Sequence, residues 1–93
     1  MYVGVVHRIR DPQAMLSRGA SLADASNAPP GVTPHQFLPS KDLSAATCLW
    51  EADSVDAVRD YIDRTLGDSS ENSYFEVSTE HTLGLPEPAT AKA

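Results

Sequence analysis

The sequence predicts an α+β fold: one antiparallel four-stranded sheet with two helices on one face, in the order β-α-β-β-α-β. Three observations carry it. Strand-like and helix-like segments follow one another in that order along ninety-three residues. Pro34 stands inside the second strand segment, and a proline withdraws a ladder donor, so that strand belongs at a sheet edge. The third strand segment, AATCLWEA, is apolar at nearly every position, as a strand covered on both faces is. An edge second strand and an interior third agree with the sheet order 4-1-3-2, and right-handed crossovers put both helices on the same face.

Each element has its own signal. Tyr2 to Ile9 (YVGVVHRI) is rich in Val and Ile and reads as a strand. Asp11-Pro12 starts a helix, because Asp can accept from the free N–H groups of the first turn and Pro fits the first helical position. Met15, Gly19, Leu22 and Ala23 form its weak apolar stripe. The SNAPPG stretch from Ser26 to Gly31 ends it. Val32 to Leu38 is the second strand, and Pro39 to Leu43 is a turn. Ala45 to Ala52 is the third strand. Asp53-Ser54 caps a second helix with the stripe Val55, Val58, Ile62 and Leu66, and Gly67 supplies its left-handed stop. After a polar turn from Asp68 to Glu71, Ser73 to Glu80 alternates Phe75, Val77 and Thr79 against Tyr74, Glu76 and Ser78. Residues 1–85 thus form a single ferredoxin-like domain, and residues 86–93 are expected to be a disordered C-terminal tail.

Composition narrows the function. Seven Lys and Arg against thirteen Asp and Glu give a net charge of −6, which argues against a nucleic-acid partner and an anionic membrane surface. No apolar run reaches the roughly twenty residues of a membrane span, and Met1 leads directly into a strand. A single Cys makes no internal disulfide, so a cytoplasmic location is expected. Both faces of the third strand carry apolar residues: Cys48 and Trp50 on one, Leu49 between Thr47 and Glu51 on the other. Two helices cover only one sheet face. The expected partner is therefore a second copy, giving a homodimeric α+β barrel that encloses a cavity.

Candidate chemistry rests on a few residues. His7, on the Val3-Val5-Ile9 face of the first strand, is a metal ligand or proton acceptor, or a histidine satisfied by backbone or water. His35, with Thr33 and Phe37 as expected face-mates, lies thirteen residues before Cys48 on the opposite arm of a hairpin. The two either meet across the sheet or miss by register. Imidazole and thiolate together suit Ni²⁺ or Zn²⁺, whereas a buried Cys48 alone is an inert apolar filler. Glu51 and Glu76 are carboxylates within apolar strands. Each is a general acid or base if it faces a cavity, and ordinary solvent-side alternation if it does not. Trp50, Tyr61, Tyr74 and Phe75 read as core or interface fillers. Asp53, Asp56, Asp60 and Asp63 read as one solvated helix face.

The stretch ATCLWEADSVDAVRDYID resembles a group of small ferredoxin-like proteins common in actinobacteria, some of them described as nickel-binding. Cys48, Trp50, Glu51-Ala52 and Asp56-Ala57-Val58-Arg59 match the group's pattern in order, and His35 stands where its earlier His is expected. The segment GDSSENSYF departs from the group's Gly-Leu-Pro turn, and His7 stands where an acidic residue or arginine is expected. The resemblance implies His35 and Cys48 as ligands of Ni²⁺ or another divalent metal, with His7 as an added candidate. A similar fold also serves cofactor-independent monooxygenases and polyketide cyclases, whose substrates sit between sheet and helices. The sequence thus supports a homodimer that binds a divalent metal or a small apolar ligand. The alternative is such an enzyme, with His7, Glu51 or Glu76 carrying the proton.

Overall fold

The computed structural model describes residues 1–89. Its order is β1 (Tyr2–Ile9), α1 (Pro12–Gly19), β2 (Thr33–Pro39), β3 (Ala45–Glu51), α2 (Val55–Leu66) and β4 (Ser70–Glu76). The four strands form one antiparallel sheet in the order β2-β3-β1-β4, with Pro34 on the edge strand and AATCLWE in the interior, as expected. No helix among the described residues is long and apolar enough to cross a membrane.

The helix signals act through specific hydrogen bonds. Asp11 caps α1 by accepting from the Ala14 N–H, with Pro12 at the first position. The α-helix stops at Gly19, where glycine weakens helix propensity by about 1 kcal/mol against alanine, and the chain tightens into a 3₁₀ turn over Ala20–Ala23. Ser54 caps α2 by accepting from the Ala57 N–H. At the other end Gly67 takes φ +55°, a conformation that an L side chain resists. Arg18 of α1 closes this joint by donating to the Leu66 carbonyl and to Asp68, both at 2.9 Å.

The core lies between the sheet and α2. Val3 and Val5 of β1, Cys48 and Trp50 of β3, and Val58, Tyr61, Ile62 and Leu66 of α2 are buried together. Trp50 meets Tyr61 edge-on at 5.8 Å between ring centroids. Each fully buried aliphatic side chain contributes about 1.5–3 kcal/mol of transfer free energy, and in a chain this short α2 supplies most of them.

One expectation needs correction. β4 begins at Ser70, not Ser73, and ends at Glu76, because Ile9 pairs with Ser70 directly after the turn and Val3 pairs with Glu76. The structure assigns its faces: Tyr74 packs on the core, whereas Phe75 is 51% exposed on the other side and lies over Gly4, where any Cβ would collide with its ring. Alternation fixes which residues share a face but not which face turns inward. At the start of the 86–93 tail the Pro86 carbonyl accepts from the Tyr2 hydroxyl at 2.7 Å and the Ala89 N–H donates to Glu51 at 2.8 Å. The rest of that tail, 90–93, lies outside the described residues.

Ile62 is fully buried at the centre of α2. Ile62→Ala should therefore lower unfolding free energy by about 2–5 kcal/mol, read as a fall in the urea midpoint at unchanged slope.

Candidate functional site

A pocket of about 410 Å³ opens between the sheet and α1. Met15, Leu16, Leu22, Phe37, Trp50 and Leu66 make its walls apolar, and Gly19 and Ala20 leave room at the helix turn. Its polar lining includes His7 and Cys48, which β1 and β3 bring side by side. Val5 pairs with Cys48 and His7 with Ala46, so both side chains point to the helix-covered face. His7 Nε2 lies 3.1 Å from Cys48 Sγ, and its Nδ1 lies 2.7 Å from Asn72 Oδ1 on β4.

The proton positions follow from the ends of this chain of groups. The Asp63 carboxylate can only accept, so the Asn72 amide nitrogen faces it, at 3.0 Å. The Asn72 oxygen therefore faces His7 and accepts from Nδ1–H, leaving Nε2 as an acceptor. At the other end the Trp50 indole N–H can only donate, and it does so to Cys48 Sγ at 3.1 Å. The thiol proton then points at Nε2. The resting array is Trp50 N–H to sulfur, S–H to imidazole, imidazole N–H to Asn72, and Asn72 N–H to Asp63, which also accepts from the Tyr74 hydroxyl.

Burial sets the charge states. It holds the His7 imidazole below its usual pKa, although the Asn72 contact and the Asp63 charge oppose the shift. It pushes the Cys48 thiol up to about 12, against the favourable Trp50 contact. The pair is neutral at rest.

His35 also lines this pocket, from the edge strand, but it does not meet Cys48. β2 pairs Pro34 with Trp50 and Gln36 with Leu49, so His35 is the extra residue of a bulge. Phe37 pairs with Cys48 on the helix-covered face, while His35 turns to Glu51, with Nε2 to Oε1 at 2.9 Å, and packs on the Tyr2 ring at 5.5 Å. Phe37 is therefore not its face-mate, and Cys48 is missed by register. Glu51, one residue out of phase with Trp50, is held below the usual carboxylate range by the Ala89 N–H and then by His35. It is a stable carboxylate outside the pocket lining, not a carboxyl with a raised pKa. Glu76 is exposed and likewise outside the lining.

The donor set does not make a metal centre. Among the described residues no three His, Cys, Asp or Glu side chains converge. His7 and Cys48 meet each other, and His35 is bonded to Glu51.

Sequence reasoning missed Asn72 and Asp63. Asn72 fell in the segment before the expected strand, and Asp63 was grouped with a solvated helix face. The available signal was the period-2 continuation Ser70, Asn72, Tyr74, which carries β4 back to a position beside His7.

The chain is similar in fold to SCO4226 from Streptomyces coelicolor A3(2), an actinobacterial protein of known crystal structure. The two share 22% identity, with a TM-score of 0.57, over 83% of this chain and 95% of that one. No family model and no curated protein matches the sequence. The likeness shows the ferredoxin-like architecture.

The lowered His7 pKa has a consequence for stability. Below about 6.5 the unfolded chain takes up a proton that the folded chain resists, so folded-state stability falls as pH drops through that value. Urea unfolding at pH 7.5, 6 and 5 should show this loss. The slope should be smaller in His7→Phe, and an equal slope in both chains would contradict the assignment.

Proposed function

We propose that this protein binds a small apolar molecule in the pocket between its sheet and first helix, and that it does so as a homodimer. The observation that carries the first part is the pocket itself. It is enclosed mainly by aliphatic and aromatic side chains, falls within the roughly 300–1,000 Å³ range of small-molecule sites, and presents a few polar atoms where a ligand could be oriented. A divalent metal is the less favoured occupant, since among the described residues no three His, Cys, Asp or Glu side chains converge. A second reading, a cofactor-independent monooxygenase or cyclase acting in the same cavity, draws support from one observation. The imidazole of His7, kept neutral by burial, lines the cavity and can accept a proton. Glu51 and Glu76 lend that reading nothing.

The dimer is supported by the sheet face away from the helices, which the segment from Val77 to Leu85 covers only in part. Val6 of β1, Leu38 of β2 and Phe75 of β4 are 44%, 60% and 51% exposed there, with Leu49 between them on β3. Apolar side chains spread over all four strands favour a second sheet packed against the first.

Two measurements test these parts separately. Trp50 lines the pocket, so 2-naphthol titrated into the protein should change its emission saturably. Ala20→Phe, which fills the pocket from the helix turn, should weaken that binding at least tenfold with unchanged circular dichroism. Equal binding by both chains would place the ligand elsewhere. Light scattering after size exclusion should give twice the mass of one chain, and Leu38→Glu should give the monomer. A monomeric parent protein would remove the dimer.

A further inference from the structure

We propose that Cys48, His7 and Asn72 form a nucleophilic site at the pocket, and that its thiol adds to the carbon–carbon double bond of a small, neutral α,β-unsaturated carbonyl compound. The proposal rests on the pocket reading above and assigns the pocket a class of reactant.

The order of groups is that of an activated nucleophile. A thiol donates to an imidazole, and the imidazole is oriented by a third group through its other nitrogen. The distances are 3.1 Å from Sγ to Nε2 and 2.7 Å from Nδ1 to Asn72 Oδ1. Asn72 is itself fixed, since Asp63 holds its amide nitrogen and the Ser70 hydroxyl donates to its oxygen at 2.8 Å. A thiol at about 12 is ionised in roughly one molecule in 10⁵ at pH 7, against a few per cent for an ordinary thiol. Nucleophilicity here therefore requires the proton to leave for His7 as the sulfur attacks. Two features favour that transfer. Asn72, with the Asp63 charge behind it, supports the protonated imidazole, and the Trp50 N–H supports the sulfur as it gains negative charge.

The reactant class follows from the walls and from the proton count. Among the described residues no Lys or Arg lines the pocket, and its two imidazoles are already engaged, His7 with Cys48 and Asn72 and His35 with Glu51, so a neutral apolar compound fits best. Conjugate addition has no leaving group to expel and needs no water, oxidant or reductant. The S–Cβ bond forms as the carbon–carbon π bond breaks, and the thiol proton moves to Nε2. That proton then passes to the α-carbon of the enolate, leaving a thioether and a neutral imidazole. Cys48 and His7 are the catalytic residues, and Asn72 is a positioning residue.

N-phenylmaleimide, an apolar conjugate acceptor, is the probe. At pH 7, intact-mass analysis should show one adduct, located on Cys48, formed by the native protein at least as fast as by the urea-unfolded chain. An inert buried thiol would react many-fold slower when folded, and that result would overturn the proposal. His7→Ala should slow the reaction at least tenfold, with added imidazole restoring part of the rate. A wild-type rate in His7→Ala would also overturn it. Asn72→Leu, which leaves both reacting side chains in place, should lower the saturating rate without raising the half-saturating probe concentration. A change confined to the latter would count against its positioning role. The saturated analogue N-phenylsuccinimide, followed by Trp50 emission, separates the two readings. Binding of the analogue without any maleimide adduct removes the chemistry and keeps the pocket, while neither binding nor adduct removes both.

Discussion

A histidine in the middle of a small core has to be satisfied at both ring nitrogens without carrying charge, and much of this molecule is arranged around that constraint. His7 is only 2% exposed. An unpaired imidazole nitrogen at such a place would cost about 1–3 kcal/mol, and a protonated one more. β3 meets the need on one side with a thiol, and β4 on the other with an amide. Each partner is fixed in turn, by Trp50 and by Asp63, so the network closes on groups that can only donate or only accept. No buried side-chain nitrogen or oxygen among the described residues is left without a partner.

This arrangement links packing to chemistry. Asp63 lies on the exposed side of α2, yet it holds Asn72 and Tyr74 of β4 and so ties that strand to the helix. The same bonds set the imidazole's tautomer and aim its free lone pair at the thiol. The pocket beside the pair exists because α1 gives way at Gly19 to a tighter turn built largely of small residues. A straight helix carrying larger side chains there would fill the space over Cys48.

The other sheet face follows a different logic. Tyr2, His35 and Glu51 form a polar corner that holds Pro86 and Ala89, while Met1 donates through its amino group to the Ala52 carbonyl. The start of the chain and residues Pro86 and Ala89 meet there. Beyond that corner the face is apolar, with Phe75 crossing Gly4 and the segment from Val77 to Leu85 beside it. Histidines that look equivalent in the sequence thus take separate partners, because the bulge in β2 gives His35 to Glu51 while His7 meets Cys48 and Asn72.

What the sequence determined by itself was local. Asp11-Pro12, Ser54 and Gly67 mark helix ends through bonds made within a few residues, and Pro34 excludes its strand from the sheet interior through its own missing donor. From these the architecture was legible, as was the sharing of one strand face by Val3, Val5 and His7 and of another by Cys48 and Trp50. Tertiary structure decided everything that depends on register. Which face of β4 turns inward, whether His35 reaches Cys48, and whether Asn72 stands beside His7 all depend on pairings between residues far apart in the chain. A period of two residues leaves both faces open to choice, and one inserted residue reverses the side. The site is therefore made of residues whose types the sequence shows and whose meeting only the folded sheet brings about.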